Sequence, residues 1–303
     1  MRKIIVVLLV LCAKIAQAQI YIDSYRFAQP AANLLLDDYP GAAAAYSLRK
    51  LDKDYTGSAI QIRTTGTGTN QPAGALANIG FDSNGDLDET AIINHCLGTS
   101  CTVQTWYDQS GNGNNATQTT AANQPTIYTG GAVVAFNNRP AIDFDGSNDF
   151  FNTPPLDVFS GSFIPNTSFA VFRREATSTI FLGFGHNSLT APYSPTMFSD
   201  GNTYLFSRRG GFASFSYSNQ NQNLFTGEEP ASGNLSIYVN GLLGASQYNA
   251  QTRTLSDFYN TIGRLVSDYS NSKTQELIFY QNVFNSTDRS GIESNINSYY
   301  SIY

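Results

Sequence analysis

A series of short strand-like segments, which starts near residue 102 and runs almost to the end of the chain, constrains the fold more than any other feature of the sequence. Turn-forming pairs such as Asp145-Gly146 and Asn240-Gly241 separate the segments. Short strands with Gly, Asn and Asp turns between them predict an all-β sandwich or jelly roll and give no sign of βαβ units. The candidate strands are 103–107, 141–144, 168–172, 180–184, 204–207, 212–217, 235–239, 260–263 and 276–280.

The N-terminal segment has the layout of a secretory signal peptide. A basic start at residues 1–3 precedes an apolar run at 4–13, and a small-residue cleavage signature, AQA, ends at Ala18. An apolar run of roughly ten residues is too short to cross a hydrocarbon core of ~30 Å, so we expect no membrane insertion. We predict cleavage after Ala18 and a secreted, extracellular or cell-surface protein.

Composition limits the partners and the number of domains. The 303-residue chain has a formal net charge of −6 and only 13% charged residues. Proteins bind nucleic acids mainly by neutralising phosphates, so this composition argues against a nucleic-acid partner. The length that remains after cleavage suits one large β domain. We expect a signal peptide at 1–18, an N-terminal leader at 19–37 and one sandwich domain at 38–303.

Two cysteines, Cys96 and Cys101, remain after removal of the signal peptide. In an oxidising compartment such a closely spaced pair can close a small disulfide loop, which would stabilise the fold by roughly 2–3 kcal/mol. A structural zinc site would need four ligands. His95 is adjacent, but the other histidine, His186, is distant in sequence. We therefore favour a disulfide and predict no metal site.

The segment DSNGDLDE, which precedes the cysteines, partly matches a calcium-binding EF-hand loop. The match fails at two positions, because Leu87 stands where the pattern needs Gly and Ile93 where it needs the bidentate Glu. A turn followed by a short helix near 87–95, capped by Asp86, explains the segment better. We predict no cofactor, and the segment does not indicate calcium.

The end of the chain has a helical period. Ser286 or Thr287 can cap a helix near 288–300 that carries Ile292 and Ile296 on one face. An apolar stripe of this kind is typical of a surface helix that packs on a core. We expect this helix to dock on the sandwich and to hold the last residues in place.

The most distinctive segment is residues 96–114, CLGTSCTVQTWYDQSGNGN. It closely resembles the catalytic domain of fungal-type α-L-arabinofuranosidase B, glycoside hydrolase family 54, whose members carry a C-x4-C loop before a strand that ends in YDQSGNGN. Residues 45–49 and 55–60 resemble the opening strands of that domain, and 235–241 is similar to a laminin-G-like hairpin. Residues 276–300 resemble the closing strand and helix of related bacterial secreted domains. The resemblance implies a concanavalin A-like two-sheet β-sandwich that interacts with polysaccharide or another glycan.

The resemblance also indicates where catalytic groups would lie. A retaining glycosidase needs two carboxyl groups about 5–5.5 Å apart, one as nucleophile and one as acid/base. The family's nucleophilic Glu lies in a D-x-E-N-N-L-F run, and the local match here, NQNQNLF at 219–225, has Asn221 in its place. An amide cannot act as this nucleophile. Asp268, in the run SDYSN, can hold the acid position.

A different register would let Glu228 or Glu229 supply the missing carboxylate. The pair stands just before Pro230, and an exposed acidic turn is the simpler interpretation, since Glu is mostly exposed in proteins. The family's adjacent cysteine pair, which contacts substrate, is replaced by Ile180-Phe181 at the nearest equivalent place. If the chain is an enzyme, the catalytic candidates are therefore Asp268 with Glu228 or Glu229.

The loop at 108–114 has two interpretations. Its Gly residues allow positive φ, and its Asp and Asn side chains can hydrogen-bond their own backbone, so a rigid turn at the rim of the sandwich explains the residues. The alternative is a loop that contacts a sugar or an ion. The ligand-binding candidates are Asp108, Gln109, Asn112, Asn114 and, outside the loop, Asn221.

Three functions fit these observations. The first is a secreted glycan-binding or adhesive domain without hydrolysis, which we favour because an amide occupies the nucleophile position. The second is an active α-L-arabinofuranosidase that acts on arabinose-containing polysaccharide. The third is a structural surface protein without a specific ligand. A Ser-His-Asp triad is not supported, since the chain has only two widely separated histidines.

Overall fold

The computed structural model of the protein describes residues 34–154, 165–175, 180–183, 196–200, 203–208, 211–216, 221–248, 260–265 and 268–303. The predicted signal peptide, its cleavage site and most of the predicted leader lie outside the described residues. The end of the leader belongs to the fold, because α1 spans Leu35–Asp38 and buries Leu35 and Leu36.

Antiparallel strands dominate the described chain, as predicted. The first half holds β1 (Ala42–Ser47), β2 (Ile60–Thr64), β3 (Leu76–Ile79), β4 (Cys101–Trp106), β5 (Ala116–Thr117), β6 (Thr126–Thr129), β7 (Ala132–Val133), β8 (Ala135–Phe136), β9 (Arg139–Pro140), β10 (Ile142–Asp145) and β11 (Phe151–Thr153). The second half holds β12 (Asn166–Arg174), β13 (Ile180–Gly183), β14 (Thr196–Asp200), β15 (Thr203–Arg208), β16 (Gly211–Ser216), β17 (Gln222–Glu229), β18 (Asn234–Val239), β19 (Leu242–Tyr248), β20 (Asn260–Ile262), β21 (Arg264–Leu265), β22 (Asp268–Tyr269) and β23 (Asn271–Tyr280). The helices are α2 (Glu89–Cys96), a 3-10 turn (Ala121–Asn123) and α3 (Ser286–Tyr300).

One long antiparallel sheet contains most of these strands. Its strand order is β19-β18-β17-β12-β23-β10-β6-β4-β5-β11-β20, and β1 pairs with β23 while β2 pairs with β4. A second sheet, β13-β14-β15-β16, contacts β18 and β19. This is the all-β, concanavalin A-like jelly roll that the sequence predicts.

The interior of the jelly roll is one continuous apolar cluster. Residues from distant parts of the long sheet belong to it, for example Ile62 of β2 and Ile237 of β18, so the sheet folds over itself. The fully buried Trp106 lies at the centre, with ring centroids 5.8 Å from Tyr46 and 6.5 Å from Phe151. Large rings contribute much of the energy of such a core.

Helix α3 covers the opposite face of the central strands. Its Ile292, Ile296 and Tyr300 are buried in a second apolar cluster with residues of β12, β17 and β23. The predicted docking of this helix is therefore confirmed. Strands β12 and β17 are buried on both faces as a consequence, which explains why their sequences do not alternate between polar and apolar residues. Within the described ranges, no helix has the length and apolar character needed to cross a membrane.

Both longer helices are capped at positions that differ from the predicted ones. The cap of α3 is Asn285, whose side chain accepts two backbone N–H groups of the first turn, rather than Ser286 or Thr287. The cap of α2 is Asp88, whose side chain accepts a first-turn N–H, rather than Asp86. Asn and Asp are both effective caps, so the sequence alone does not decide between neighbouring polar residues.

Asp86 has a tertiary role instead of a capping role. Its carboxylate accepts hydrogen bonds from Arg139 at 2.9 Å and from the hydroxyl of Tyr299 on α3 at 2.5 Å. The turn before it forms as predicted: the N–H of Gly85, at φ +82°, donates to the carbonyl of Asp82. Asp86 therefore links this turn to helix α3.

The predicted disulfide joins Cys96, the last residue of α2, to Cys101, the first residue of β4. The enclosed loop turns at Gly98, whose φ of +84° suits glycine better than any other residue. The bond holds the helix against the start of the strand that leads into the 108–114 loop.

A buried ion pair joins β1, β23 and α3. Arg49 donates from Nε and Nη2 to the Glu276 carboxylate at 2.8 and 3.0 Å, and the two side chains are only 8% and 1% exposed. The hydroxyl of Ser47 donates to the same carboxylate at 2.7 Å, and that of Tyr300 lies 3.3 Å from it. Arg49 also donates to Asn295 at 2.9 Å. Bidentate geometry and these added hydrogen bonds offset the desolvation of both charges.

Glu276→Gln should destabilise the protein strongly, because it keeps the shape of the side chain but leaves the Arg49 guanidinium buried without its anion. We expect the free energy of unfolding in urea to fall by about 3–5 kcal/mol. The matched control is Asp54→Asn, which breaks an exposed ion pair to Lys53 and should change the free energy by less than about 0.5 kcal/mol. A loss for Glu276→Gln as small as that of the control would contradict the role given to the pair.

Candidate functional site

The loop that follows β4 folds around the carboxylate of Asp108. This residue is 4% exposed, and its Oδ1 accepts the N–H groups of Ala45 at 2.8 Å and Ser110 at 2.9 Å. Its Oδ2 accepts the N–H of Asn114 at 2.9 Å and the hydroxyl of Ser110 at 2.8 Å. The carboxylate thereby closes the loop on itself and fastens it to β1, which gives the buried charge the partners it needs.

The remaining polar side chains of the loop also bind to β1 and the residues after it. Gln109 is 1% exposed and donates to the carbonyls of Ser47 and Arg49, both at 3.0 Å. Asn112 and Asn114 donate to one β1 carbonyl at 3.1 and 2.9 Å. These contacts match the interpretation of the loop as a rigid turn. A ligand contact from Asp108, Gln109, Asn112 or Asn114 stays a prediction.

Glu228 lies on β17 beneath α3, so the prediction of an exposed acidic turn is wrong. The residue is 6% exposed, and its carboxylate is 3.4 Å from the Nη1 atom of Arg289 on the helix. Burial raises the pKa of Glu228, while the charge of Arg289 and a hydrogen bond from Tyr238 act in the opposite direction. The sequence could not show this burial, because it results from a helix that is distant in the chain.

Glu229 is buried as well, and its side chain has a different partner. It is 1% exposed, and its Oε2 accepts a hydrogen bond at 3.0 Å from Asn166 on the neighbouring strand β12. Successive residues of a strand point to opposite faces of the sheet. Glu228 and Glu229 therefore cannot face the same substrate as a pair.

Asp268 lies in an exposed hairpin formed by β21 and β22. The next residue, Tyr269, is half-buried, with its ring centroid 6.3 Å from that of Phe150. The Arg264 guanidinium lies over the Phe150 ring, 3.7 Å from its centroid. We call Phe150, Arg264 and Tyr269 the rim cluster, because Arg264 and Tyr269 are paired across β21 and β22 and share one face. Asp268 directly precedes Tyr269 on β22, so its exposed side chain points to the other face. Asp268 was a predicted site residue, and the three residues of the rim cluster were not.

Asp149 adds a second carboxyl group next to the rim cluster. It is 4% exposed and accepts the N–H of Asp145 at 3.0 Å. Burial, followed by the negative charges of Asp145 and Asp143, raises the pKa of Asp149 to about 7. A carboxyl group with such a pKa can hold a proton near neutral pH, as a general acid does. Asp149 was not a predicted site residue, because the turn DGSND does not reveal which of its two carboxyl groups is buried.

The predicted site residues do not meet at one place. Asp268 lies on the exposed hairpin, Glu228 beneath α3 and Glu229 against β12, while Asn221 is exposed just before β17. The part of the chain that the structure describes holds no group of three or more His, Cys, Asp or Glu side chains suited to a metal ion. The rim cluster with Asp149 is therefore the best candidate site.

Asp108→Asn should lower stability, because an amide nitrogen cannot accept the N–H groups that the carboxylate now accepts. We expect a loss of about 1–3 kcal/mol in the free energy of unfolding, measured in urea, and the exposed substitution Asp54→Asn serves as the control. Unchanged stability together with lost glycan binding would instead assign Asp108 to ligand contact.

Asp149→Asn should change how stability depends on pH. The raised pKa means that the folded protein binds this proton more tightly than the unfolded chain does, so stability falls as pH rises from about 4 to about 7. The Asn variant, which keeps an acceptor for the Asp145 N–H, should lose that part of the dependence. The measurement is the urea midpoint of the wild-type protein and of the variant at pH 4.5 and at pH 8. If the midpoint changed by the same amount between the two pH values in both proteins, the burial of this charge would be contradicted.

Comparison with known proteins supports the resemblance seen in the sequence. Residues 36–150 match the profile of the family described as alpha-L-arabinofuranosidase B, catalytic. A search of curated protein sequences gives no match. A structure of an arabinofuranosidase complexed with arabinofuranosyl-α-1,2-xylobiose aligns with a TM-score of 0.65 at 15% identity, over 84% of this chain and 62% of the other.

A mutant of a glycoside hydrolase family 54 α-L-arabinofuranosidase, soaked with 4-nitrophenyl α-L-arabinofuranoside, aligns with a TM-score of 0.67 at 14% identity, over 88% of this chain and 65% of the other. This chain thus spans less than two thirds of the length of these enzymes. At such low identity the likeness establishes the shared fold. The protein has the jelly roll of the family 54 arabinofuranosidases, and its segment 36–150 resembles their catalytic domain.

Proposed function

We propose that this protein is an exported domain that binds arabinose-containing polysaccharide and does not cleave it. The match of residues 36–150 to an arabinofuranosidase catalytic domain supports the ligand class. The signal-peptide layout of residues 1–18 supports export and an extracellular or cell-surface location. The low charge of the chain suits a surface that recognises neutral sugars by hydrogen bonds.

The placement of the predicted carboxyl groups carries the proposal. Retaining hydrolysis requires two carboxyl groups about 5–5.5 Å apart on either side of one glycosidic bond. Glu228 is paired with Arg289 beneath a helix, and Glu229 is hydrogen-bonded within the sheet. Asn221, which the local sequence resemblance places at the family's nucleophile position, is an amide. Asp268 is the one predicted carboxyl group that is exposed, whereas double displacement needs two.

The rim cluster is the proposed sugar contact. The Tyr269 ring offers an apolar face to sugar C–H groups. Arg264 can donate to ring or glycosidic oxygens while its plane stays on Phe150. This mixture of rings and a few polar groups is typical of ligand sites.

A second candidate function is hydrolysis by an α-L-arabinofuranosidase. Two observations favour it: the family match of residues 36–150, and the pKa of about 7 for Asp149, which lies next to the rim cluster. In this alternative Asp149 or Asp268 would protonate the leaving group, and the nucleophile would be a carboxylate other than position 221.

Binding and hydrolysis can be separated with one set of proteins. We expect the wild-type protein to be retained on insoluble arabinoxylan and to release no nitrophenol from 4-nitrophenyl α-L-arabinofuranoside. Tyr269→Ala should weaken retention by about tenfold, which corresponds to ~1.4 kcal/mol, while the exposed substitutions Asp268→Asn and Asp54→Asn should leave it unchanged. Nitrophenol release that Asp268→Asn or Asp149→Asn abolishes would establish hydrolysis. Absence of both retention and release would support the structural surface protein.

A further inference from the structure

A pocket of about 510 Å³ lies between helix α3 and the turn that joins β18 to β19. Its size is within the range of small-molecule sites, about 300–1,000 Å³. It is built from elements other than those of the rim cluster. The lining residues that matter for its chemistry are Leu242, Ser290, Glu293, Ser294 and Tyr303.

One wall of the pocket is the aromatic ring of Tyr303. The Asn297 side chain accepts the N–H groups of Ile302 and Tyr303 at 2.8 and 3.0 Å and donates to the carbonyl of Tyr303 at 2.8 Å. The Tyr303 hydroxyl lies against Gly241, where an added Cβ atom would meet it at 3.1 Å. These hydrogen bonds hold the Tyr303 backbone in place, and the residue is 55% exposed, so its ring presents open surface at the pocket.

Leu242 adds a second apolar surface to the pocket. Leu242 directly follows the turn, lines the pocket and is 75% exposed. Single exposed leucines are common, so this residue alone indicates nothing. Together with Tyr303 it gives the pocket two apolar surfaces, which suit the C–H faces of a ligand.

The polar groups of the pocket lie on helix α3. Glu293 is 2% exposed, and its Oε1 accepts the hydroxyl of Thr226 at 2.7 Å, while the Oε2 atom faces Gly241. The hydroxyls of Ser290 and Ser294 are one helical turn apart, a spacing that places them on the same face. The site therefore offers a carboxylate oxygen and two hydroxyls beside two apolar surfaces.

The charges around Glu293 limit the class of ligand. Glu293 and Glu228 share one cation, Arg289, whose nitrogen atoms lie 3.9 and 3.4 Å from the two carboxyl groups. Two carboxyl groups beside a single guanidinium leave no positive charge for an anionic ligand. A simple amine, which only donates, would leave the serine and tyrosine hydroxyls without acceptors, whereas a sugar both donates and accepts.

We propose that this pocket binds one neutral sugar residue, as a glycan contact separate from the rim cluster. The apolar faces of the sugar would lie against Leu242 and Tyr303, and its hydroxyls would bond to Glu293, Ser290 and Ser294. The site takes its ligand class from its own lining, so it would bind a sugar even if the rim cluster binds none. A polysaccharide that reached both sites would bind more tightly than to either alone.

The test is to titrate the protein with methyl α-L-arabinofuranoside, D-xylose and D-galactose in turn. Binding is monitored by the NMR chemical shifts of the backbone amides. Shifts at 241–243 and 290–294 with at least one sugar are the expected result. Tyr303→Ala and Leu242→Ala should weaken that binding by about tenfold. The matched control is Leu243→Ala, because Leu243 is 57% exposed in the same strand but does not line the pocket.

The same titrations separate this pocket from the rim cluster. Tyr269→Ala should leave the shifts at 241–243 unchanged, and Tyr303→Ala should leave retention on arabinoxylan through the rim cluster largely in place. Three results would overturn the pocket proposal: no shift with any sugar, an equal loss in Leu243→Ala, or saturation by the amine cadaverine but by none of the sugars. Thermal unfolding of each variant verifies that it is folded.

Discussion

The ion pair between Arg49 and Glu276 is the interaction on which the arrangement of the molecule depends. It lies where the first strand of the domain, the central strand β23 and helix α3 meet, and it is fully enclosed by hydroxyl and amide partners. A buried charge pair of this kind tolerates only one geometry, because each charge is costly without the other. The pair therefore opposes separation of β23 from the residues that follow β1, and the Asn295 and Tyr300 side chains connect helix α3 to the same charges.

The position of α3 in turn decides what β17 can do. In a jelly roll with one open face, an acidic residue near the end of a strand can reach a ligand. Here the helix covers that face, and Glu228 becomes part of a buried network with Arg289 and Glu293. A fold shared with arabinofuranosidases can thus contain a strand whose carboxyl group serves packing. Fold and chemistry have to be argued separately for this reason.

Features that depend on local sequence were predictable, and those that depend on distant contacts were not. The strands between Gly, Asn and Asp turns, the helix carrying Ile292 and Ile296, and the disulfide follow from pattern, spacing and compartment. The burial of Glu228 follows from a helix about sixty residues away, which no local pattern encodes. The observed helix caps differ from the predicted ones for a local reason, because adjacent polar residues such as Asn285 and Ser286 are nearly equivalent as caps.

The large sequence separation between the paired strands β1 and β23 affects how the protein folds. Ser47 and Glu276 are hydrogen-bonded although they stand 229 positions apart in the chain. Contacts between such distant segments form slowly, because a long loop has to close before they are gained. The central sheet therefore cannot be completed until the last strand has been synthesised. If the chain is exported as its first residues predict, the slow closure of this sheet gives the translocation machinery time to move the chain before the sheet is complete.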